Sequence, residues 1–331
     1  MKAVCYDTKG PAREVLRIVR MERPLPAPGE VLVAVHASGV NPSDTKGRAG
    51  ARGNVVMPFP RIVPHQDGAG VIEGVGEGVT PSRIGERVWL YEAQLGRPFG
   101  TAAEYVALPA HQAVPLPTGT AFEEGACLGV PALTAHRCVF ADGPVEGKTV
   151  LVSGGAGAVG FYAVQFAARG GARVVATVSN ERQKELAERA GAALAIDRHH
   201  GDVAEAVARF CGGEDRSVDR VVEVAFGANL ETNLKVLKPR GVIATYASDV
   251  EPEPRLPFWP LVMLDATLRF VLVYVMDRAA HDAAVDATLA GLRDGSLLHN
   301  IAEVLPLERA ADAHERVERG GSGGKVVLKL R

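Results

Sequence analysis

The chain has 331 residues, enough for one large domain or two medium ones, and its 37 basic and 39 acidic side chains leave a net charge of -2. That balance does not indicate nucleic acid or an anionic membrane as the main partner, and the longest apolar stretch, residues 270–276, is too short to span a bilayer. The N-terminus has no signal-peptide core and the four cysteines form no Cys-x-x-Cys pair, so we expect a cytoplasmic protein that acts on a small molecule.

Residues 1–120 are predicted to form a compact β domain. Valine-rich segments of strand length are separated by glycine and proline turns. Two proline-rich stretches are predicted as loops, because repeated proline cannot occupy central strands. The predicted strands lie at 30–40, 68–76, 85–92 and 101–108, and the loops at 22–30 and 57–64.

Residues 121–290 show a different pattern, in which apolar segments of strand length alternate with helical segments. The strands lack clean alternation of apolar and polar residues, as expected when helices cover both faces of a sheet. The pattern predicts an α/β fold with a parallel, doubly wound sheet of about six strands. The predicted strands lie at 148–154, 172–179, 193–197, 218–225, 241–248 and 268–275.

The residues after 290 do not continue this alternation of strands and helices. Residues 307–320 are amphipathic and residues 324–330 form a final strand, and we assign both to the first domain. The predicted domains are therefore 1–120 with 291–331, and 121–290.

The glycine-rich segment LVSGGAGAVG, residues 151–160, follows the first strand of the alternating pattern. Gly155, Gly157 and Gly160 satisfy G-x-G-x-x-G between a strand and a helix, which is the context that this motif requires. Without a β-carbon the backbone can turn tightly and approach a pyrophosphate, which the first N–H groups of the helix then face. A tight turn that only packs a helix on a strand is the alternative, and the surrounding pattern favours a dinucleotide site.

The end of the second strand distinguishes NADH from NADPH. Ser179 and Asn180 stand where an acidic residue would bind the ribose 2′-OH of NADH. Arg182 follows, and Arg198 just past the third strand could be a second cation, so we predict NADPH. Glu181 would oppose a 2′-phosphate only if its carboxylate turned inward, and as a first helical residue it is expected to face solvent. The alternative for Arg182 is a solvated helix face.

Six segments resemble the medium-chain dehydrogenase/reductase superfamily, and within it the zinc-independent quinone oxidoreductases, the zeta-crystallin-like group. The resemblance covers essentially the whole chain. It implies a GroES-like catalytic domain, a Rossmann domain, an active site in the cleft between them, and NADPH-dependent reduction of quinones or other electron-poor alkenes and carbonyls. The segments are SGVNPSDTKGRAG (38–50), PHQDGAGVIEGVGEGV (64–79), GTAAEYVAL (100–108), GACLGVPALTAHRCV (125–139), VLVSGGAGAVGFYAVQFA (150–167) and GSGGKVVL (321–328).

The resemblance also implies, by position, which residues surround the cofactor. They fall into four groups: the nicotinamide contacts, the pyrophosphate loop, the loop after the fifth strand, and the sixth strand beside the nicotinamide. In that order they are Asn41 and Thr134; Ala156, Gly157, Ala158, Val159 and Gly160; Tyr246, Ala247 and Ser248; and Leu272 and Val273. Lys325 is expected to approach the cofactor from the tail of the chain.

The sequence contains no compelling general acid and no Ser-His-Asp set. Asn41 could polarise an acceptor oxygen through its amide N–H. Asp44 and Lys46 are further candidates, although a structural pairing or a solvated loop is the alternative for each, and Lys46 stands where the group commonly has a tyrosine. A quinone oxygen can take its proton from water, so the protein need only orient the reactants and exclude water.

No metal is expected. Catalytic zinc needs three Cys, His or carboxylate ligands and an open position. In zinc-dependent relatives the ligand positions fall within 38–44, which has no cysteine, on Gln66, and near Val130, where Cys127 is out of register. His65 alone cannot build a site, and a histidine in a cleft or a packed core is the alternative.

Two other functions remain open at this point. A reductase of 2-enoyl thioesters or other alkenes would differ only in what enters the cleft, and residues 51–61 would decide. A protein of another class could keep NADPH for stability and serve as a structural or RNA-binding crystallin, although the near-neutral charge argues against nucleic acid.

The assembly is predicted to be a homodimer. Residues 268–275 form an apolar strand at the expected edge of the sheet, and such an edge can pair with a second copy. The resemblance to the family also favours a dimer across this edge.

Overall fold

A computed structural model of the protein describes residues 1–53 and 55–331; Asn54 and the side chain of Arg52, both within the stretch 51–61, lie outside the described part. The chain divides into two compact units. Unit 1 is Met1–Val130 with Thr288–Arg331, and unit 2 is Pro131–Ala287. The division therefore lies after residues 130 and 287, whereas the sequence analysis placed it after residues 120 and 290.

Strands and helices are numbered along the chain. The strands are β1 Lys2–Cys5, β2 Arg17–Arg20, β3 Glu30–Val40, β4 Asp67–Val75, β5 Arg87–Leu90, β6 Tyr105–Pro109, β7 Ala113–Pro115, β8 Thr149–Val152, β9 Arg173–Val178, β10 Leu194–Asp197, β11 Val218–Glu223, β12 Leu237–Thr245, β13 Thr267–Phe270, β14 Ile301–Pro306 and β15 Lys325–Lys329. The α-helices are α1 Ala12–Val15, α2 Pro42–Ala49, α3 Phe122–Gly125, α4 Gly129–Phe140, α5 Ala158–Arg169, α6 Glu181–Arg189, α7 Val203–Phe210, α8 Phe226–Val236, α9 Phe258–Met263, α10 Arg278–Arg293 and α11 Ala310–Glu318.

Unit 1 is built around a seven-stranded sheet in the order β14-β15-β3-β4-β5-β7, with β6 also paired to β3. The long central strand β3 is valine-rich, and Val31, Val33 and Val35 pack with Ile72 in a buried core. Strand β15 lies antiparallel to β3, so the last strand of the chain is part of this sheet. This pairing brings Lys325, at the start of β15, beside the end of β3.

Unit 2 contains a six-stranded parallel sheet in the order β10-β9-β8-β11-β12-β13. The predicted doubly wound sheet is confirmed. The strand order reverses between β8 and β11, and ligands of such sheets bind beyond the carboxyl ends of the strands at that point. Apolar residues of the strands, among them Val175 and Ile243, pack with Val207 and Leu230 of α7 and α8.

The sixth strand is shorter than predicted. Strand β13 ends at Phe270, and residues 273–275 form a turn of 3-10 helix instead of continuing the strand to 275. The ladder stops because β12 ends at Thr245, whose carbonyl accepts the N–H of Val271 at 2.8 Å and leaves later residues without a pairing strand. Apolar composition alone could not reveal this end point.

Among the described residues, none of the helices combines the length and the apolar character needed to cross a membrane.

Candidate active site

The glycine-rich turn between β8 and α5 folds tightly against its own backbone. A β-carbon on Gly155 would lie 2.6 Å from the β-carbon of Ala176 on β9, and one on Gly160 would lie 2.1 Å from the carbonyl oxygen of Gly154. A β-carbon on Gly157 would meet only that same oxygen, at 3.2 Å. Gly155 and Gly160 are therefore needed for packing within the chain, whereas Gly157 leaves backbone open to an approaching ligand.

The N-terminus of α5 is suited to an anion. Gly157 is the N-cap residue, no side chain caps the helix, and its first turn carries no acidic residue. The N–H groups at the start of a helix lack intrahelical partners and lie at the positive end of its dipole. The predicted pyrophosphate residues thus meet at one helix terminus, and they are Ala156, Gly157, Ala158, Val159 and Gly160. These residues can hold a dinucleotide pyrophosphate.

At the end of β9, two predicted ligand residues form part of a helix cap. Asn180 is the N-cap of α6, and its Oδ1 accepts the backbone N–H of Gln183 at 3.0 Å. In return, Oε1 of Gln183 accepts the backbone N–H of Ser179 at 3.0 Å. This reciprocal cap uses the amide oxygen of Asn180 and leaves its amide N–H and the Ser179 hydroxyl outside the cap.

Two arginines lie at the ends of β9 and β10. Arg182 is exposed in the first turn of α6, and Arg198 is exposed directly after β10. The backbone N–H of Arg198 bonds the carbonyl of Val178 at 3.0 Å, which fixes it beside the end of β9. Glu181 is exposed and pairs with Lys184 at 3.4 Å, as expected for a carboxylate that faces solvent. The local charge available to a ligand here is therefore positive.

A cavity of about 330 Å³ lies at the carboxyl ends of the strands of unit 2. At its base, Glu223 is fully buried, yet its carboxylate is satisfied by donors from the chain. Oε1 accepts the N–H of Ala225 at 2.6 Å and Nδ2 of Asn229 at 3.0 Å, and Oε2 accepts Nδ2 of Asn233 at 2.9 Å. The lining residues are Leu151, Ser153, Thr177, Arg198, Gly201, Asp202, Val203, Glu223, Asn229, Thr232 and Asn233.

The sequence analysis overlooked Glu223, Asn229 and Asn233. An acidic residue at the end of an apolar strand, followed at helical spacing by two asparagines, was the available signal. Hydrogen bonds from Ala225, Asn229 and Asn233 hold the Glu223 carboxylate in one position in the lining of the cavity.

The loop after β12 is tied to the start of α8. The carbonyl of Ala247 accepts the N–H of Phe226 at 3.1 Å, and Ser248 Oγ accepts the N–H of Gly227 at 2.9 Å while donating to the carbonyl of Glu251. The hydroxyl of Ser248 is thus used by the fold, and Tyr246 precedes it in a partly buried position.

Three further predicted cofactor residues lie in different environments. Thr134 is buried on α4. Leu272 and Val273 follow β13 rather than belonging to it, which corrects their predicted placement in the sixth strand. Leu272 is 55% exposed, whereas Val273 is buried in the 3-10 turn.

Unit 1 contains a buried polar cluster formed by Asn41, Asp67 and Lys325. Lys325 Nζ lies 2.7 Å from Asp67 Oδ2 and 2.5 Å from Asn41 Oδ1, and Asn41 Nδ2 donates to Asp67 Oδ2 at 2.8 Å. Gly39 permits this arrangement, because a β-carbon there would lie 2.7 Å from Lys325 Cε. Asp67 Oδ1 accepts the N–H of Val130 at 2.8 Å.

The cluster also sets the orientation of the Asn41 side chain. One N–H of its amide donates to Asp67, and the amide oxygen accepts from Lys325. Asn41 therefore serves to position its neighbours in this structure. Lys325, predicted to approach the cofactor from the tail, is 98% buried beside Asp67, a residue that the sequence analysis did not single out.

Asp44 joins the same cluster through the cap of α2. Its Oδ2 accepts the backbone N–H of Asn41 at 2.7 Å, and its Oδ1 has no hydrogen-bond partner among the described residues. Burial, reinforced by the nearby charge of Asp67, raises the pKa of Asp44 to about 7. Lys46 lies on the same helix in a partly exposed position. Asp44 is thus a carboxyl that can hold a proton at neutral pH.

The donor set does not fit a catalytic zinc ion. The described residues contain no group of three or more His, Cys, Asp and Glu side chains that could hold a metal. Gln66 and Val130 occupy the expected ligand positions, and His65 is fully buried with its Nε2 against Nε2 of His314 at 2.9 Å.

Comparison with known proteins places both units in one family. Residues 27–118 match the model of the alcohol dehydrogenase GroES-like domain, and residues 158–289 match the model described as zinc-binding dehydrogenase. A quinone oxidoreductase of Mus musculus is 31% identical over 336 residues, which cover 100% of this chain and 98% of that protein. A 2-haloacrylate reductase of Burkholderia sp is 30% identical over 341 residues, covering 99% and 98%.

A solved structure extends the match to three dimensions. A mycobacterial protein in complex with NADPH superposes with a TM-score of 0.86 at 28% identity, over 100% of both chains. The sequence match and the structural match each span the full length of the chain. This chain therefore belongs to the medium-chain dehydrogenase/reductase superfamily, in the group of the quinone oxidoreductases.

Proposed function

We propose that the protein is an NADPH-dependent reductase that transfers hydride to a quinone or another electron-poor alkene or carbonyl. The observation that carries this proposal is the open backbone at Gly157 and the uncapped N-terminus of α5, at the switch point of a parallel sheet. Full-length similarity to quinone oxidoreductases, and to a structure in complex with NADPH, supports the same function.

The choice of NADPH over NADH rests on the end of β9. Ser179 and Asn180 stand at the position of the acidic residue that binds a ribose 2′-OH, and the next residue, Glu181, is exposed and pairs with Lys184. The Ser179 hydroxyl and the amide N–H of Asn180 can donate to a phosphate. Arg182 and Arg198 add two positive charges, and arginine suits phosphate through its planar set of donors.

When bound, NADPH supplies the hydride. Gly157 and the N-terminus of α5 would hold the pyrophosphate, and Arg182 and Arg198 would hold the 2′-phosphate, which would fix the orientation of the cofactor. In unit 1, Lys325, Asp67 and Asn41 hold one another through charge-assisted hydrogen bonds and keep α2 in place. Hydride addition leaves an anionic oxygen or carbon on the substrate, which takes its proton from water.

We further propose that the enzyme works without zinc and resides in the cytoplasm. The expected metal-ligand positions hold Gln66 and Val130, which cannot form a tight zinc site. The cysteines are free thiols, and three of them are buried. This state suits a reducing compartment.

A homodimer is proposed from an exposed apolar surface on unit 2. Among the described strands, β13 pairs with β12 alone and leaves one edge open. Large apolar side chains on β13 and on the preceding helix α9 are exposed, including Phe270 at 70% and Trp259 at 69% exposure. An open edge flanked by an apolar patch favours pairing with a second copy of the chain.

Light scattering at micromolar concentration tests the dimer and should give a mass of twice 34.9 kDa. Phe270→Glu should shift the population toward monomer. Leu25→Glu changes an even more exposed apolar residue on unit 1 and serves as the control. A monomeric wild-type mass would rule out the dimer.

An alkene reductase is the second candidate function. The similarity to a 2-haloacrylate reductase over nearly the whole of both chains favours it, since reduction of a polarised C=C bond needs the same hydride donor. The two candidates differ in the acceptor and share the cofactor site.

Steady-state kinetics distinguish these functions. Purified protein is assayed with NADPH and NADH against quinones, enones, 2-haloacrylates and enoyl thioesters. We expect turnover with at least one acceptor class and a higher kcat/KM for NADPH. Tight NADPH binding with no turnover over the panel would contradict the proposal and favour a nucleotide-binding protein of structural role.

A further inference from the structure

Unit 1 contains a pair of buried imidazoles that the proposed function does not use. His65 and His314 are both fully buried, their ring centroids are 5.1 Å apart, and their Nε2 atoms are 2.9 Å apart. His65 adopts φ of +83°, a left-handed backbone that a residue with a β-carbon holds only when the surrounding structure imposes it. A strained residue in a buried polar pair requires a physical explanation.

A line of hydrogen bonds continues from this pair. His65 Nδ1 lies 2.8 Å from Ser38 Oγ, which lies 2.7 Å from Thr101 Oγ1. Thr101 Oγ1 donates to the backbone carbonyl of Asp67 at 2.6 Å. The line therefore joins His314, on α11, to Asp67, the first residue of β4. The side chain of Asp67 in turn binds Asn41 and Lys325.

The last bond fixes the direction of every other bond in the line. A carbonyl oxygen only accepts, so the single hydroxyl proton of Thr101 is donated to Asp67. Ser38 must then donate to Thr101, and His65 must donate its Nδ1–H to Ser38. With its proton on Nδ1, neutral His65 accepts at Nε2, and His314 donates its Nε2–H to it.

The charges around the pair agree with two neutral rings. Burial and the nearby positive charge of Arg48 lower the pKa of His314 to about 3, and burial together with the positive charge of Lys325 lowers the pKa of His65. His314 Nδ1 has no hydrogen-bond partner among the described residues. This agrees with a neutral His314 that carries its proton on Nε2, because its Nδ1 then has no proton to donate.

We propose that His314, His65, Ser38 and Thr101 form a positioning relay that fixes the backbone of Asp67, and thereby sets where Asn41 and Lys325 are held. None of the four is placed at a reacting atom, so each acts through Asp67. This inference rests on the proposed function only in the experiment that measures kcat/KM.

Backbone contacts show why the relay can act on Asp67. Segments 63–67 and 98–102 run side by side, with the Thr101 N–H bonded to the His65 carbonyl at 3.1 Å. Gly100 permits this approach, because a β-carbon there would lie 2.2 Å from that carbonyl oxygen. The left-handed turn at His65 thus presents its carbonyl to one side of Thr101 while its ring reaches Ser38. Thr101 is therefore fixed by hydrogen bonds from both its backbone N–H and its side-chain hydroxyl.

Substitution of Thr101 separates the hydroxyl from packing. Thr101→Val keeps the shape and removes the donor to Asp67, whereas Thr101→Ser keeps the donor and removes a methyl group. We expect Thr101→Val to lower kcat/KM about tenfold, because a buried carbonyl and hydroxyl lose their partners, and Thr101→Ser to remain near wild type. Equal losses in the two variants would assign the residue to packing alone and overturn the relay.

Nitrogen-15 NMR of histidine-labelled protein tests the relay without any substrate. Wild type should show His65 protonated at Nδ1 and His314 at Nε2. Ser38→Ala should change the signals of both rings, since His65 loses its acceptor. Ser217→Ala removes a similarly buried hydroxyl of unit 2, one without a hydrogen-bond partner among the described residues, and should leave both rings unchanged.

The two experiments fail in distinguishable ways. Observation of His65 protonated at Nε2 contradicts the direction of the relay, whatever the activity of the protein. Wild-type ring states without turnover on the acceptor panel would contradict the proposed function and leave the relay standing.

Discussion

Alanine at Gly157 and at Gly160 should separate cofactor binding from folding. At Gly157 the backbone lies at φ −74° and ψ 169°, which any residue adopts, and the new β-carbon would meet only the Gly154 oxygen, at 3.2 Å. Loss of chain entropy in the unfolded state stabilises such a variant by about 0.4–1 kcal/mol. Loss of a favourable N-cap residue costs a similar amount, roughly 0.5–1 kcal/mol. The stability of Gly157→Ala should therefore stay close to wild type.

The affinity of the same variant should fall. Its β-carbon would occupy the open side of the backbone that we assign to the pyrophosphate, and it would hold the ligand away from the N–H groups of α5. We expect NADPH to bind at least about tenfold more weakly, equivalent to roughly 1.4 kcal/mol. Titration calorimetry gives the dissociation constant, and a thermal melt without ligand gives the stability.

Gly160→Ala provides the contrast. Its β-carbon would lie 2.1 Å from the Gly154 oxygen, a backbone contact that no side-chain rotation can relieve. Overpacking of this kind costs about 1–3 kcal/mol and should lower Tm by several degrees, at about 2–4 °C per kcal/mol. Wild-type NADPH affinity in Gly157→Ala would refute the assignment of this turn as the pyrophosphate site.

The remaining predictions concern charge. Lys325→Met should destabilise the protein by about 3–5 kcal/mol, because it leaves the Asp67 carboxylate buried without its cation, and adding Asp67→Asn should restore part of the loss in chemical denaturation. Arg198→Ala should lower the preference for NADPH over NADH in kcat/KM about tenfold, Arg182→Ala should do so less, and an unchanged ratio in both would contradict the phosphate assignment. Asp44 has a raised pKa in the folded state, so its contribution to stability is full below about pH 4 and is lost as pH rises through about 7, at no more than about 1.4 kcal/mol per pH unit. Asp44→Asn should flatten that part of the stability profile, and an unaltered profile would show that the carboxyl ionises normally.

The alternating sheet of unit 2 could be predicted because its signals are local. A strand, a glycine turn and a helix follow one another within the segment 148–169, and each is encoded by its own residues. The end of β13 could not be predicted, since it depends on where the neighbouring β12 stops. Apolar residues continue beyond Phe270 in the sequence, but the pairing partner does not.

The polar cluster of unit 1 was even harder to predict from the sequence than the end of β13. Asn41 and Asp44 lie in one motif and were candidates from sequence. Their partners could not be predicted, because Asp67 and Lys325, which bond to Asn41, come from β4 and β15. Asp67 and Lys325 are 258 positions apart along the chain, so no sequence pattern connects them. Burial raises the pKa of Asp44, and burial too is a property of the assembled fold.

The position of β15 has a consequence for the order of folding. Unit 2 lies between two parts of unit 1 in sequence, and β15 joins the sheet of unit 1 beside β3. During synthesis the Asp67 carboxylate therefore has no lysine partner until residue 325, which follows all of unit 2, has emerged. The strands of unit 2 pair with strands that lie closer in sequence, so unit 2 should become stable first. Formation of the Asp67–Lys325 pair should be among the last steps of folding.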